Sequence, residues 1–205
     1  FPYTTLFRSK TNADAVFLGF AGSNGFRFIR QMNEYGLKGK IAIVGGMTAL
    51  DEAVLKNMGD EALGIETACW YSAELNNPIN NKFAPAFRKA QGYDPGFYAA
   101  ATYTNAAVLD AALKSINGNA SNKEGLMAAL KKTNVPTARG PVTFDSYGNV
   151  VGDVYIRKVE RKDGRLVNVV TKTYTNVSQF WKYDPKAFLA NPVYSKDWPP
   201  ARNLE

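Results

Sequence analysis

The sequence predicts an α/β protein built on a parallel sheet with crossover helices. Three observations carry this. Apolar runs of strand length at 13–20, 41–44 and 64–70 alternate with segments of helical period, and the links are short. Glycines punctuate the strand ends: Gly19, Gly22 and Gly25 after the first run, Gly45 and Gly46 after the second. The final third changes texture, and Asp163-Gly164 between two alternating runs marks an antiparallel hairpin.

Each element follows in order. ADAVFLGF at 13–20 reads as a buried strand. A helix runs on to about Tyr35, with Phe28, Ile29, Met32 and Tyr35 on one face and Gly36 as its stop. Residues 41–44 form a second buried strand. Thr48-Ala49-Leu50-Asp51 is a weak capping box for a short helix that Gly59 ends, and 64–70 is a third strand. Asn77-Pro78 places a cap and a proline at the start of a helix that carries Ile79, Phe83 and Phe87 and stops at Gly92. Asp94-Pro95 leads into an alanine-rich helix to about Ile116. Ser121 to Glu124 caps a further helix with Leu126, Met127 and Leu130 inward. A strand at 142–144 precedes a turn from Asp145 to Asn149, and strands at 154–160 and 166–174 flank the hairpin tip. The segment 176–205 is aromatic and holds Pro185, Pro192, Pro199 and Pro200, so it reads as an extended tail. The helices of 77–133 are expected in a layer group of their own, and the strands of 13–174 are not expected to join in one continuous sheet.

Composition narrows the function. The chain has 205 residues, of which 45% are hydrophobic, enough for a core. No run approaches the roughly 18 apolar residues of a membrane span. With no histidine, the commonest general base and metal ligand is missing, and a Ser-His-Asp or Cys-His site cannot be assembled. The lone Cys69 forms no internal disulfide or thiolate cluster, and beside Trp70 it reads as core. No pattern calls for a metal or cofactor. The net charge is +7, but the basic residues are scattered. Their densest stretch, Arg157, Lys158, Arg161, Lys162 and Arg165, is broken by Glu160 and Asp163 and reads as a solvated hairpin tip, so no nucleic acid partner is expected. The acidic pairs Asp51/Glu52 and Asp60/Glu61 read as solvated helix ends. Gly19, Gly22 and Gly25 have G-x-x-G-x-x-G spacing, not the dinucleotide fingerprint, and no acid ends the next strand. Residues 1–9, FPYTTLFRS, resemble the translation of a sequencing-adapter oligonucleotide and are expected to be a non-native, peripheral leader.

Five segments in order carry a family resemblance: ADAVFLGF, GLKGKIAIVGGMTALDE, MGDEALGIETACWYSAELNNPINNKF, GYDPGFYAAATYTNAAVLDAAL and RGPVTFDSYGN. Together they resemble the C-terminal half of a solute-binding protein of the branched-chain amino acid ABC-importer type, a periplasmic binding protein of type I. The resemblance implies an incomplete two-lobed sandwich of parallel sheets. Residues 10–69 and 154–175 would belong to lobe two and 70–153 to lobe one, with crossings near Cys69-Trp70 and Asp153. The ligand contacts carried over fall on Phe20 and Ala21, Gly46 and Met47, Trp70, and Tyr98. The implied role is capture of a small amino acid-like or carboxylic acid ligand, without chemistry, for a membrane permease. The implied location is periplasmic, or extracellular and lipid-anchored. Amino-acid-binding members often place an acid after the second strand, where this chain has Gly45-Gly46-Met47-Thr48 and no carboxylate before Asp51. That favours an aromatic or aliphatic acid. A ligand-sensing receptor or regulator of the same fold and an α/β enzyme are the alternatives.

Overall fold

The computed structural model describes residues 13–191. The expected leader at 1–9 and the end of the tail lie outside the described residues. The chain opens with β1 (Ala15–Leu18), α1 (Ser23–Glu34), β2 (Ala42–Gly45), a short α2 (Glu52–Leu55), a 3-10 turn (Asp60–Ala62) and β3 (Glu66–Cys69). β1, β2 and β3 are parallel neighbours in that order, as the alternation of runs requires. Each strand alternates rather than being buried throughout. Val16, Leu18 and Ile43 turn inward on Ile29 and Met32 of α1 and on Leu50 and Leu55, while Ala15, Phe17, Ala42, Glu66 and Ala68 face outward. Each large aliphatic residue of this core contributes about 1.5–3 kcal/mol by burial.

Three helices follow: α3 (Asn80–Gln91), α4 (Phe97–Ser115) and α5 (Lys123–Lys131). Asn77 caps the first, its Oδ1 accepting from the N–H of Ile79 at 3.1 Å and of Asn80 at 2.9 Å. Gly92 ends it in the left-handed conformation, φ 79°. Asn122, not Ser121, caps α5 through the N–H of Gly125, and Met127 is exposed rather than inward. Thr48 does not cap α2. Asp51 does, through the N–H of Ala53, and the Thr48 hydroxyl donates to the Phe20 carbonyl instead.

The remaining strands are β4 (Val135–Thr137), β5 (Gly140–Phe144), β6 (Val150–Lys162) and β7 (Arg165–Val177). Asp163 and Gly164, at φ 51° and 76°, close the β6–β7 hairpin in the mirror-image turn the sequence signalled. Part of the expected tail is a short helix, α6 (Pro185–Leu189), capped by Asp184, and Phe180 is buried.

All seven strands form one hydrogen-bonded sheet, contrary to expectation. The reason is the length of β6. β7 borders one of its edges from Gly152 to Lys162. On the other edge, Gly152 pairs with β5 and Tyr155 to Lys158 pair with β3, so two strand groups share it end to end. The register slips between Gly152 and Val154, a bulge where the sequence places a crossing at Asp153. The cores nevertheless divide. One holds Val16, Leu18, Ile29, Leu50 and Ile65. The other holds Cys69, Tyr71, Phe97, Ala100 and Ala138.

Three charged groups expected in solvent, Arg157, Asp51 and Glu52, are buried. Arg157 is 0% exposed: it follows the inward phase of β6, between Tyr155 and Val159. Its guanidinium donates to the Tyr71 carbonyl at 2.7 Å and to the Thr67 hydroxyl at 3.1 Å, and lies 3.6 Å from buried Glu52.

Candidate ligand-binding site

Because β1, β2 and β3 are parallel neighbours, the turns after them lie side by side at one edge of the sheet. Open α/β sheets present ligands to this carboxyl edge. The first two turns are tied together: the Thr48 hydroxyl donates to the Phe20 carbonyl at 3.1 Å, and the Gly22 N–H donates to the Thr48 carbonyl at 3.4 Å. Two glycines let these turns approach. A Cβ on Gly25 would press on the Ala49 backbone, and one on Gly45 would press on Leu18.

The sequence-predicted residues divide into two groups. Met47 and Trp70 pack against the second core, with Phe97. The Trp70 indole meets the Phe97 ring edge-on, with centroids 5.7 Å apart, and the Phe97 and Tyr98 centroids are 4.2 Å apart. Tyr98 itself is 72% exposed, an aromatic face open to a ligand. Phe20 stands apart from this cluster. Its ring lies 5.5 Å from that of Phe28 and packs on the first core. Ala21 is exposed, and no atom lies within 4 Å of where a Cβ on Gly46 would stand, so this position faces open space.

Three residues outside the predicted set shape this cluster. Phe97 is the ring between Trp70 and Tyr98. Arg139, in the turn between β4 and β5, stacks over the other side of the cluster, its guanidinium carbon 4.2 Å from the Trp70 ring centroid. A turn residue has no periodic signal, so nothing in the pattern marks it. Asp51 is the third. Its Oδ1 accepts from the Phe97 N–H at 2.9 Å and its Oδ2 from the Ala53 N–H at 3.3 Å. It thereby caps α4 from a distant segment and sits against Gly96, where a Cβ would overlap the carboxylate. The acid nearest to the second turn in sequence is therefore engaged in holding the fold.

A separate cavity of about 280 Å³ lies between α2, the end of α3 and the hairpin tip. Its charges are largely matched: Asp94 pairs with Arg88 and Arg165, and Arg161 with Asp60. Cys69 is 1% exposed, and burial pushes its thiol up to about 11, so it is inert core.

Comparison with known proteins places this arrangement. A solute-binding protein of an ABC transporter from Rhodopseudomonas palustris BisB5, solved in complex with 3,4-dihydroxy benzoic acid, superposes with a TM-score of 0.79 at 34% identity, covering 91% of this chain and 50% of that one. An ABC transporter substrate-binding protein from Sphaerobacter thermophilus gives 0.79 at 30% identity, with 85% and 48% covered. The Leu/Ile/Val-binding protein homolog 6 of Brucella abortus (strain 2308) is 27% identical over 161 residues, 75% of this chain and 40% of that protein. The chain thus spans about half the length of these relatives or less. Residues 8–165 match the family described as periplasmic binding protein. The chain belongs to the periplasmic binding protein family.

Proposed function

We propose that this chain is part of the ligand-capture subunit of an ABC importer, and that its ligand is a small aromatic or aliphatic carboxylic acid. The observation that carries the ligand class is the state of Asp51. It is the nearest acid after the second turn, it is 6% exposed, and both its oxygens accept backbone N–H groups. An α-ammonium group would find no charge partner there, and burying an unpaired charge costs several kcal/mol. The rings of Trp70, Phe97 and Tyr98 supply an apolar wall instead. The 3,4-dihydroxy benzoic acid bound by the R. palustris relative supports an aromatic acid. The name of the Brucella relative points to branched-chain amino acids, and the engaged Asp51 weighs against carrying that over.

In this reading the two cores belong to two lobes, residues 10–69 with 154–175 and residues 70–153. The division of the cores near Cys69 and the bulge beside Asp153 support hinge crossings there. Phe20, Ala21, Gly46, Met47, Trp70 and Tyr98 line the cleft, and closure on the ligand presents the protein to a membrane permease. The location is periplasmic, or extracellular and lipid-anchored. The chain binds its ligand without transforming it. Since it spans about half the length of its relatives, the 205-residue chain alone is expected to bind weakly, and ligand-observed NMR is the suitable assay. Signals of 3,4-dihydroxybenzoate and benzoate should respond at concentrations where leucine does not. Leucine responding as strongly as the aromatic acids would contradict the ligand class.

A further inference from the structure

Among the described residues the Arg139 guanidinium rests on the Trp70 ring but has no anionic partner. It takes part in no ion pair and no side-chain hydrogen bond among the described residues, and its Nε is buried and unmatched. The surrounding fold holds it in this state. The Tyr155 hydroxyl donates to the Arg139 carbonyl at 2.7 Å, and the Arg139 N–H donates to the Thr137 hydroxyl at 3.2 Å, so the turn is pinned. Gly152 at the β6 bulge leaves room for the fork. A Cβ there would stand 3.4 Å from Nη2 and 3.3 Å from the Pro141 carbonyl oxygen. Asp153, the nearby acid, is not within ion-pair distance, and its Oδ1 accepts from the Asn176 N–H at 3.1 Å. Burial pulls the Arg139 pKa below the usual arginine range, and the opposing pull of Cys69, Tyr155 and Asp153 does not restore it.

We infer that Arg139 is the anchor for the ligand's carboxylate, with Trp70 holding the guanidinium face and the ligand's apolar body lying along Trp70 and Tyr98. A planar fork fixed on an indole is pre-organised for a carboxylate, which it meets with two parallel hydrogen bonds. The ring order Arg139, Trp70, Phe97, Tyr98 puts the charge at one end of the aromatic wall and the exposed tyrosine at the other. This inference rests on the capture reading above and adds to it the residue that would select for an acid.

The test uses the 205-residue chain as wild type, Arg139→Met and Arg139→Lys, unfolded in urea with sodium benzoate, with neutral benzamide, or with sodium chloride at matched concentration. Benzoate should raise the wild-type midpoint more than sodium chloride does, and should act on Arg139→Met about tenfold more weakly or worse, the scale of a charge-assisted hydrogen bond. Arg139→Lys, which keeps the charge but loses the fork, should fall between them. The benzamide response should be similar in all three. Without ligand, Arg139→Met should be more stable than wild type, because the unpaired cation is gone and the methionine still packs on the indole. A benzoate response unchanged in Arg139→Met, or lost together with the benzamide response, overturns the anchor. If no acid stabilises the wild-type chain, the capture reading fails on its own. The anchor is then judged without ligand, and an unliganded Arg139→Met less stable than wild type overturns it.

Discussion

Replacing Glu52 by Gln separates the charge of this residue from its shape. The Glu52 side chain is 2% exposed and Oε1 lies 3.6 Å from Arg157, yet the best donors of that guanidinium are engaged with Tyr71 and Thr67. Glu52 Oε1 accepts from the Ala73 N–H at 3.3 Å, while among the described residues no donor meets buried Oε2 or Oδ1 of the neighbouring Asn168. Burial raises the Glu52 pKa, Arg157 pulls it back, Asp51 adds repulsion, and the carboxyl ends at about 7 against an ordinary 4.5. A proton on Glu52 would also offer a donor where two buried acceptors lack one. Between pH 4.5 and 7 the folded chain therefore keeps a proton that the unfolded chain gives up. Stability from this group is greatest at the acid end, falls as pH rises through 7, and is flat above; the whole change is roughly 3 kcal/mol. Urea unfolding of wild type and Glu52→Gln, followed by circular dichroism from pH 5 to 8, reads it directly. The wild type should lose stability relative to the variant across that range. Parallel profiles, or a wild type that gains on the variant as pH rises, would mean instead that Arg157 wins over burial and that Glu52 stays ionised in the folded chain.

Three further outcomes follow from particular contacts. Tyr98→Ala should weaken binding of an aromatic acid by about 1–3 kcal/mol from lost apolar burial, with the unfolding midpoint unchanged because the ring is mostly exposed; calorimetry and urea unfolding check the two halves. Gly96→Ala should destabilise the fold by about 2–4 kcal/mol in urea, because the new Cβ drives the Asp51 carboxylate off the Phe97 N–H. Parallel sheets are normally covered on both faces, and here Ala15, Phe17, Ala42 and Ala68 lie open on one, so Phe17→Lys should reduce self-association of the 205-residue chain in analytical ultracentrifugation.

Much of the fold was legible because it rests on local signals. The apolar runs, Gly92 at the end of α3 and Asp163-Gly164 at the hairpin all appear where the pattern puts them. What escaped depends on contacts distant in sequence. Arg157 and Glu52 looked like solvated charges because a charge was read by type alone, although Arg157 sits in inward phase with Tyr155 and Val159. That phase was the available signal. Asp51 serves an N–H 46 residues away, and no local motif encodes such a cap. The single sheet arises because β6 runs through the expected crossing instead of breaking there. The strand-end turns and the helix start at Tyr98 are local features of the pattern, whereas Arg139 reaches Trp70 only through the β4–β5 turn, which carries no periodicity.

On this reading a small organic acid meets the chain at the carboxyl edge of β1 to β3. Backbone amide shifts of the 205-residue chain, followed by two-dimensional NMR during titration with 3,4-dihydroxybenzoate, test it most directly. The largest changes are expected at Phe20, Ala21, Gly46, Met47, Trp70 and Tyr98, with Arg139 moving alongside. Changes concentrated instead around Lys56, Tyr93 and Arg165, at the cavity by the hairpin tip, would contradict it.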